Sequence, residues 1–277
     1  AHMDEIGFRV EAINADGTLE LHNRGGFILS LYEGKPALIH TGGGGADIPG
    51  IFLPRDSGFT HRLPAALRVS VGATTRTGAE SLGVNVGQTI TMPKQYVRLA
   101  GTRATGRSFD DRMGCAALLL ALRQLDRRKL QHPVIFLFST REEIGLEGAE
   151  AAARQLGTTT RRVHAIDTFV SADSPLELQN FAVAKVGAGA VARALDNSSI
   201  TPPAYVDSLA QLARARHIAL QIGTTNGGND GSTFVPYGVV DVAMGWPMRY
   251  SHSPAEVIDL KDLVSLADLV RAVAEDW

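Results

Sequence analysis

The stretch that decides the fold is Pro133–Gly148, PVIFLFSTREEIGLEG. Val134 to Phe138 are apolar without a break, the pattern expected of a strand covered on both faces. The composition then changes at once to Ser139, Thr140 and Arg141, followed by the adjacent carboxylates Glu142 and Glu143. Open α/β sheets bind their ligands at strand ends. This one segment therefore predicts a layered α/β core with a polar site beside it.

Working outward, helical and strand-like segments alternate on both sides. Upstream, DRMGCAALLLALRQLDRR (111–128) has helical apolar spacing and ends in cations, which suit a helix C-terminus. Downstream, EGAEAAARQLG (147–157) reads as a helix with a glycine stop, and RVHAID (162–167) as a strand ending in Asp167. TPPAYVDSLAQLARARH (201–217) reads as a helix with Thr201 as N-cap and Pro202 in the first turn. VVDVAMGW (239–246) is a second buried strand, and LKDLVSLADLVRAVAEDW (260–277) a closing amphipathic helix. Strands alternating with helices imply an α/β layer architecture. Before residue 101 the texture differs. AINADGTLELH (12–22) sets Asp16-Gly17 between alternating stretches, a hairpin signal. The glycine-rich ALIHTGGGGADIPG (37–50) reads as a loop, and no long helix is evident. The expected organisation is an α/β domain of residues 1–7 and 101–277, with a small β-rich module of residues 8–100 inserted.

The 277 residues are 44% hydrophobic and 20% charged, enough for a substantial core. The net charge of −2 gives no support for a nucleic-acid-binding face. No apolar run approaches the roughly 18 residues of a membrane span. The single cysteine, Cys115, excludes an intramolecular disulfide and a thiolate zinc site. It lies in an apolar helical run and reads as a small buried hydrophobe. A cytoplasmic address fits this usage.

Acidic and histidine residues recur where strands should end. His2 and Asp4 form an H-x-D pair, although His2-Met3 also resembles a cloning scar. Asp110 and Asp111 precede the first long helix, Glu142 and Glu143 follow the apolar run, Asp167 closes the next strand, and His252 follows another. Two histidines and several carboxylates without cysteine suit a pair of divalent metals such as zinc, cobalt or manganese. One aspartate would bridge the cations, and one carboxylate must stay free as general base. Neighbours on an extended segment point in opposite directions, so one of Glu142 and Glu143 can bind metal while the other faces the substrate.

HMDEIGF (2–8), FDDRMG (109–114), EEIGLEGA (142–149), GGNDGS (227–232) and RYSHSPAEVIDLKDL (249–263) occur in this order. Together they resemble the tetrahedral aminopeptidases of metallopeptidase family forty-two, which include glutamyl and deblocking aminopeptidases. The resemblance covers almost the whole chain. It implies a three-layer metallopeptidase domain with a mixed sheet, into which a β-barrel-like dimerisation domain is inserted. It implies that Asp110 bridges two metals, that His2, Glu143, Asp167 and His252 are the remaining ligands, and that Glu142 is the general base activating the attacking water. Asp4 would orient His2, and Asp111 would follow Asp110 across a cis peptide. Peptides with a free N-terminus are the implied substrates, and dimers assembling into a dodecamer the implied state. The resemblance departs in three places. The family carries a further stretch ahead of its H-x-D motif. Its usual Gly-Gly-Thr-Asp-Ala becomes Gly227-Gly228-Asn229-Asp230-Gly231. Asp173 competes with Asp167, which is preferred because it ends the apolar strand directly.

His40, His61, His132, His164 and His217 lie outside these motifs and read as structural or surface residues. KVGAGAVA (185–192) mimics a dinucleotide fingerprint, but no acidic residue ends a strand at the required distance, so a loop near the site is expected. HTGGGGADIPG (40–50) lacks the Gly-Lys-Ser/Thr ending of a phosphate loop. Two other functions are kept open: a two-metal amidase or deacylase acting on N-acyl amino acids, and a catalytically inactive peptide-binding homologue.

Overall fold

The computed structural model describes residues 1–55, 66–171, 173 and 184–277; His61 lies outside them. The chain forms two compact units. One comprises Ile6–Gln95 with His252–Pro254, the other Ala1–Glu5, Tyr96–Ser251 and Ala255–Trp277.

The first unit is a closed barrel of β1 (Gly7–Ile13), β2 (Leu19–Arg24), β3 (Pro36–His40), β4 (Ile48–Phe52), β5 (Arg68–Ser70) and β6 (Thr89–Thr91), with a short helix α1 (Arg76–Ser81). The strands run in the order β1-β2-β5-β4-β3-β6, and β6 pairs back with β1. Closure removes the unpaired edges that make short strands prone to aggregate. Asp16-Gly17 turns β1 into β2, as the hairpin signal predicts. The glycine-rich stretch is less of a loop than its composition suggests: β3 and β4 occupy its two ends, leaving the four glycines as the turn. Alternate residues Phe8 and Val10 of β1 and Leu19 and Leu21 of β2 point inward. Phe8 stacks on Phe27 at 4.2 Å and meets Phe52 at 5.2 Å between ring centroids.

The second unit contains β7 (Tyr96–Arg98), β8 (Arg103–Gly106), α2 (Phe109–Gln124), α3 (Glu147–Leu156), β9 (Arg162–Val163), β10 (Ile166–Val170), β11 (Ala190–Leu195), α4 (Pro203–Ala215), β12 (Leu220–Thr224), β13 (Val240–Asp241), β14 (Met244–Met248), β15 (Glu256–Asp259) and α5 (Leu260–Asp276). Its main sheet has the order β10-β14-β11-β12 and is mixed, because β11 runs antiparallel to β14 while the outer pairs are parallel. Helices α2, α4 and α5 pack against it through Met113, Leu209, Leu266, Met244 and Trp246. A smaller antiparallel sheet, β15-β8-β7, leads into α2. The fold class is therefore mixed α/β with a separate closed β-barrel. No helix among the described residues is long and apolar enough to cross a membrane.

The decisive segment itself departs from expectation. Residues 133–138 belong to no strand, and Val134 and Ile135 are 40% and 61% exposed. Among the described residues the backbone here pairs only at its end. The Ala1 amino group donates to the Leu137 carbonyl, Ser139 N–H to Ala1, and Met3 N–H to Ser139. An apolar run reports that a segment can be buried; pairing partners are a separate requirement. Strand β10 also begins later than expected. The 162–167 segment splits into β9 and β10, so Asp167 lies near the start of a buried strand and not at its end.

Candidate metal centre

His2 is built into the second unit from every side. It is 2% exposed. Its N–H donates to Asp111 Oδ2 at 2.8 Å, and its carbonyl accepts from the Cys115 thiol at 3.1 Å. Its neighbours Ala1 and Met3 pair with Ser139 in a parallel bridge. Nε2 stands 3.2 Å from Asp110 Oδ1 and 3.7 Å from Glu142 Oε2. A cloning scar would have none of this.

Asp110 and Asp111 sit at the head of α2, joined by a cis peptide bond. Neither has helical dihedrals; the regular helix follows them. The Asp111 carboxylate spans two backbone amides, His2 N–H and Gly114 N–H, and so ties the first strand-like residues to the helix start. Glu256, at the start of β15, accepts Phe109 N–H at 2.7 Å and Asp110 N–H at 3.4 Å. The side chains of the two aspartates are thereby placed by backbone contacts on both sides.

Glu142 and Glu143 lie on a turn that leads into α3, with Arg141 before them at φ 59°. Asp4 holds this turn: Oδ1 accepts Glu142 N–H at 3.1 Å and Oδ2 accepts Glu143 N–H at 3.3 Å. Asp4 Oδ1 is also 3.6 Å from His2 Nδ1, an ion-pair distance too long for a good hydrogen bond. The expectation of opposite-facing side chains does not hold, because the segment is turned and not extended. Glu142 reaches His2 Nε2, and a Glu143 oxygen lies with His2 and Asp110 donor atoms inside a 4.8 Å cluster.

Asp167 belongs to the same electrostatic neighbourhood, feeling Asp110 and His2, and it pairs with Arg193 at 3.2 Å. Asp173 is instead held by Arg249 in a two-handed pair at 2.9 and 2.7 Å. His252 falls in the barrel unit, at φ 58°, where its carbonyl accepts from the Tyr32 hydroxyl and its ring lies against Gly26.

The charges expose what these groups lack. Burial pushes the Glu142 carboxyl up to about 9, reinforced by Asp167, Glu143 and Asp110. Burial raises Asp167 to about 7, with Asp110 adding to the push and Arg193 opposing it. Asp111 is raised well above the usual carboxylate range, chiefly by burial. Burial pulls His2 down, but the Asp110 and Asp4 carboxylates beside it outweigh this and raise it. Crowded, buried carboxylates around one imidazole are in need of positive charge. Hard oxygen donors with an imidazole nitrogen fit a divalent cation.

The M42 glutamyl aminopeptidase family model matches residues 1–269. The chain belongs to this family. It is a peptidase. The chain is 27% identical to the glutamyl aminopeptidase of Lactococcus lactis over 290 residues, 99% of this chain and 78% of that one. It is 27% identical to the lysyl aminopeptidase of Pyrococcus furiosus over 287 residues, 100% of this chain and 80% of that one. The structure of the Pyrococcus horikoshii TET1 peptidase, which assembles into a tetrahedron or a large octahedral shell, matches with a TM-score of 0.90 at 30% identity. That match covers 100% of this chain and 82% of the other.

Within this M42 chain, two features missed in the sequence support the candidate site from behind. One is the buried Arg193 on β11, a strand that the broken-looking stretch after Gly189 conceals. The other is Glu256, whose role at Asp110 leaves no local signal beyond its place in the last motif. Glycine positions explain close approaches. A Cβ at Gly245 of β14 would lie 1.9 Å from the Asp167 carbonyl. A Cβ at Gly231, where the family motif has alanine, would lie 2.3 Å from Asp241 Oδ1. The dinucleotide-like KVGAGAVA is accounted for by its own chain, since Gly187 and Gly189 N–H both donate to the Asp262 carboxylate at 2.7 Å. The amides a phosphate would need are occupied by α5.

Proposed function

We propose that this M42 peptidase is a dinuclear metal aminopeptidase, removing N-terminal residues from peptides. The observation carrying this reading is the meeting of His2, Asp110 and Glu143 donor atoms within 4.8 Å, with Glu142 Oε2 3.7 Å from His2 Nε2. His2, Asp110, Glu143 and Asp167 are the proposed ligands in the second unit, with Asp110 as the bridge. His252 is retained on the sequence motif alone. Asp167 is preferred to Asp173 because it shares the field of Asp110 and His2, whereas the charges acting on Asp173 come from Arg249. Zinc or cobalt, with manganese as a further candidate, would polarise the scissile carbonyl and acidify water when bound.

The protein's own groups then do the proton work. Glu142 takes the proton from the attacking water and returns it to the leaving amine nitrogen. Its carboxyl is pushed up by burial and by its acidic neighbours, so positive charge among them brings it back toward a base that works near neutral pH. Asp4 fixes the peptide between the two glutamates, so base and ligand cannot drift apart. The negative field attracts the free α-amino group that distinguishes a peptide N-terminus from an N-acyl amino acid.

Replacing Glu142 by Gln is expected to leave the metal content at two per chain and cut turnover of aminoacyl anilides by on the order of 10²–10⁴. Wild-type turnover in Glu142→Gln would sink the assignment. The same anilides run against N-acetyl amino acids separate an aminopeptidase from a deacylase. Relatives named for glutamyl and for lysyl residues stand at the same 27% identity, so overall likeness does not select the side chain and the anilide panel must. The TET1 peptidase assembles into shells. We extend this to the present chain as a homo-oligomer of dimers reaching a dodecamer, with the barrel as its dimerisation module and the cytoplasm as its compartment.

A further inference from the structure

Arg193 is the one buried arginine among the described residues of the second unit, 2% exposed on β11. Its guanidinium faces two carboxylates and two carbonyls. Nη1 lies 3.2 Å from Asp167 Oδ2 and donates to the Thr168 carbonyl at 2.9 Å. Nη2 lies 3.0 Å from Asp196 Oδ2 and donates to the Gly228 carbonyl at 2.9 Å. Asp196 in turn accepts Asn229 Nδ2 at 2.7 Å, and the Ser198 hydroxyl that it also holds accepts Asn229 N–H at 3.0 Å. Asp167 Oδ1 takes the Thr168 N–H at 2.6 Å, so both oxygens of this carboxylate have fixed partners. One planar cation thus joins β10 to the Gly227–Gly231 loop. Lysine has no second arm with which to do this.

We infer that Arg193 is a positioning residue that sets the plane of the Asp167 carboxylate for metal binding and locks the Gly228-Asn229 loop to it. The inference rests on the reading of Asp167 as a metal ligand. One guanidinium carries two aspartates, leaving a buried excess of negative charge that a bound cation would offset. Removing Arg193 both frees the carboxylate to rotate and releases the Gly228 carbonyl. Partners that orient a ligand in this way typically matter 10–100-fold in metal affinity.

The test uses the 277-residue chain stripped of metal and titrated with cobalt, followed by its visible absorption, alongside kcat and KM on an aminoacyl anilide. Wild type, Arg193→Met, Arg193→Lys and Asp167→Asn are compared. Arg193→Met is expected to bind the weaker cobalt on the order of 10–100-fold less tightly. Arg193→Lys is expected to recover most of that affinity yet keep a raised KM, because the charge returns but the loop contact does not. Wild-type cobalt affinity and KM in both arginine variants, with only a lowered melting temperature, overturn the inference and make Arg193 purely structural. If Arg193→Met does not fold, the lysine variant decides by the same two readouts. Loss of cobalt in Asp167→Asn with neither arginine variant affected refutes the inference alone. Unchanged cobalt binding in Asp167→Asn refutes the ligand reading and the inference with it.

Discussion

The two units of this chain bury different kinds of side chain. Among the described residues of Ile6–Gln95, every large buried side chain is aliphatic or aromatic, from Phe8 and Val10 to Val84 and Ile90, and none is charged. The other unit buries His2, Asp110, Asp111, Asp167, Arg193, Asp196, Asp241, Glu256, Asp259, Asp262 and Glu275 beside its apolar core. Residues Ile6–Gln95 fold chiefly on hydrophobic burial and ladder closure, so protons and cations have little hold on them. The second unit contains groups that are costly to bury unpaired, and its stability is linked to whatever neutralises them. That division locates the chemistry without reference to any motif.

The sharpest way to break this comparison is to remove divalent cations. Chelation is expected to abolish peptide hydrolysis, and added zinc, cobalt or manganese to restore it. A cation held at a thousand times its dissociation constant contributes about 4 kcal/mol to the state that binds it. Hydrogen exchange should therefore quicken at residues 109–114 and 139–144, around the clustered donors, while the amides of strands β1 to β6 stay unchanged. Equal quickening in both units, or turnover that survives chelation, defeats the contrast.

The converse experiment attacks the barrel. Phe52 is fully buried and meets Phe8 and Tyr32. Phe52→Ala is expected to cost about 3–5 kcal/mol through lost transfer energy and the cavity left behind. The loss should be the same at pH 5 and pH 8, with or without metal, because no carboxylate, imidazole, lysine or arginine is buried among the described residues of Ile6–Gln95. Urea unfolding at the two pH values provides the check, and a pH-dependent penalty would show that the units are not energetically separate.

Much of this division was legible in the sequence, for physical reasons that differ by element. The helix periods read over 111–128, 201–217 and 260–277 survive into α2, α4 and α5, because side-chain spacing directly reports a buried stripe. Asp16-Gly17 marks its hairpin because few dipeptides accept that turn. The candidate site was legible through His2, Asp110, Glu142 and Glu143, each beside a change from apolar to acidic residues. Pairing was not legible. Val134–Phe138 carries the composition of a central strand and forms none, because an apolar run shows only that burial is possible, and Val134 and Ile135 are exposed. Arg193 was invisible for a related reason: only the register of β10, β14 and β11 reveals that an arginine in a small-residue run faces Asp167.

The smallest test of the comparison uses a titratable group away from the candidate metal site. His164 Nδ1 donates to the Val242 carbonyl at 3.1 Å, and its ring lies 5.4 Å from that of Trp277, over which Arg162 is stacked. Burial lowers His164 to about 4, with the Arg162 charge adding to the effect and the Val242 carbonyl opposing it. An unfolded histidine titrates near 6.5, so as the pH falls below that value the unfolded chain takes a proton that the folded chain refuses. The stability tied to this group is fully present above pH 6.5 and is lost progressively as the pH falls toward 4. The ring keeps partial access to solvent, which screens the full linkage, and about 2 kcal/mol is expected. His164→Gln keeps a donor for Val242 and removes the proton uptake. Its unfolding free energy should therefore fall by about 2 kcal/mol less than wild type between pH 7.5 and pH 4.5. Parallel pH profiles for the two proteins would mean that His164 takes up its proton alike in the folded and the unfolded chain, and the acid sensitivity of the second unit would then rest on its carboxylates alone.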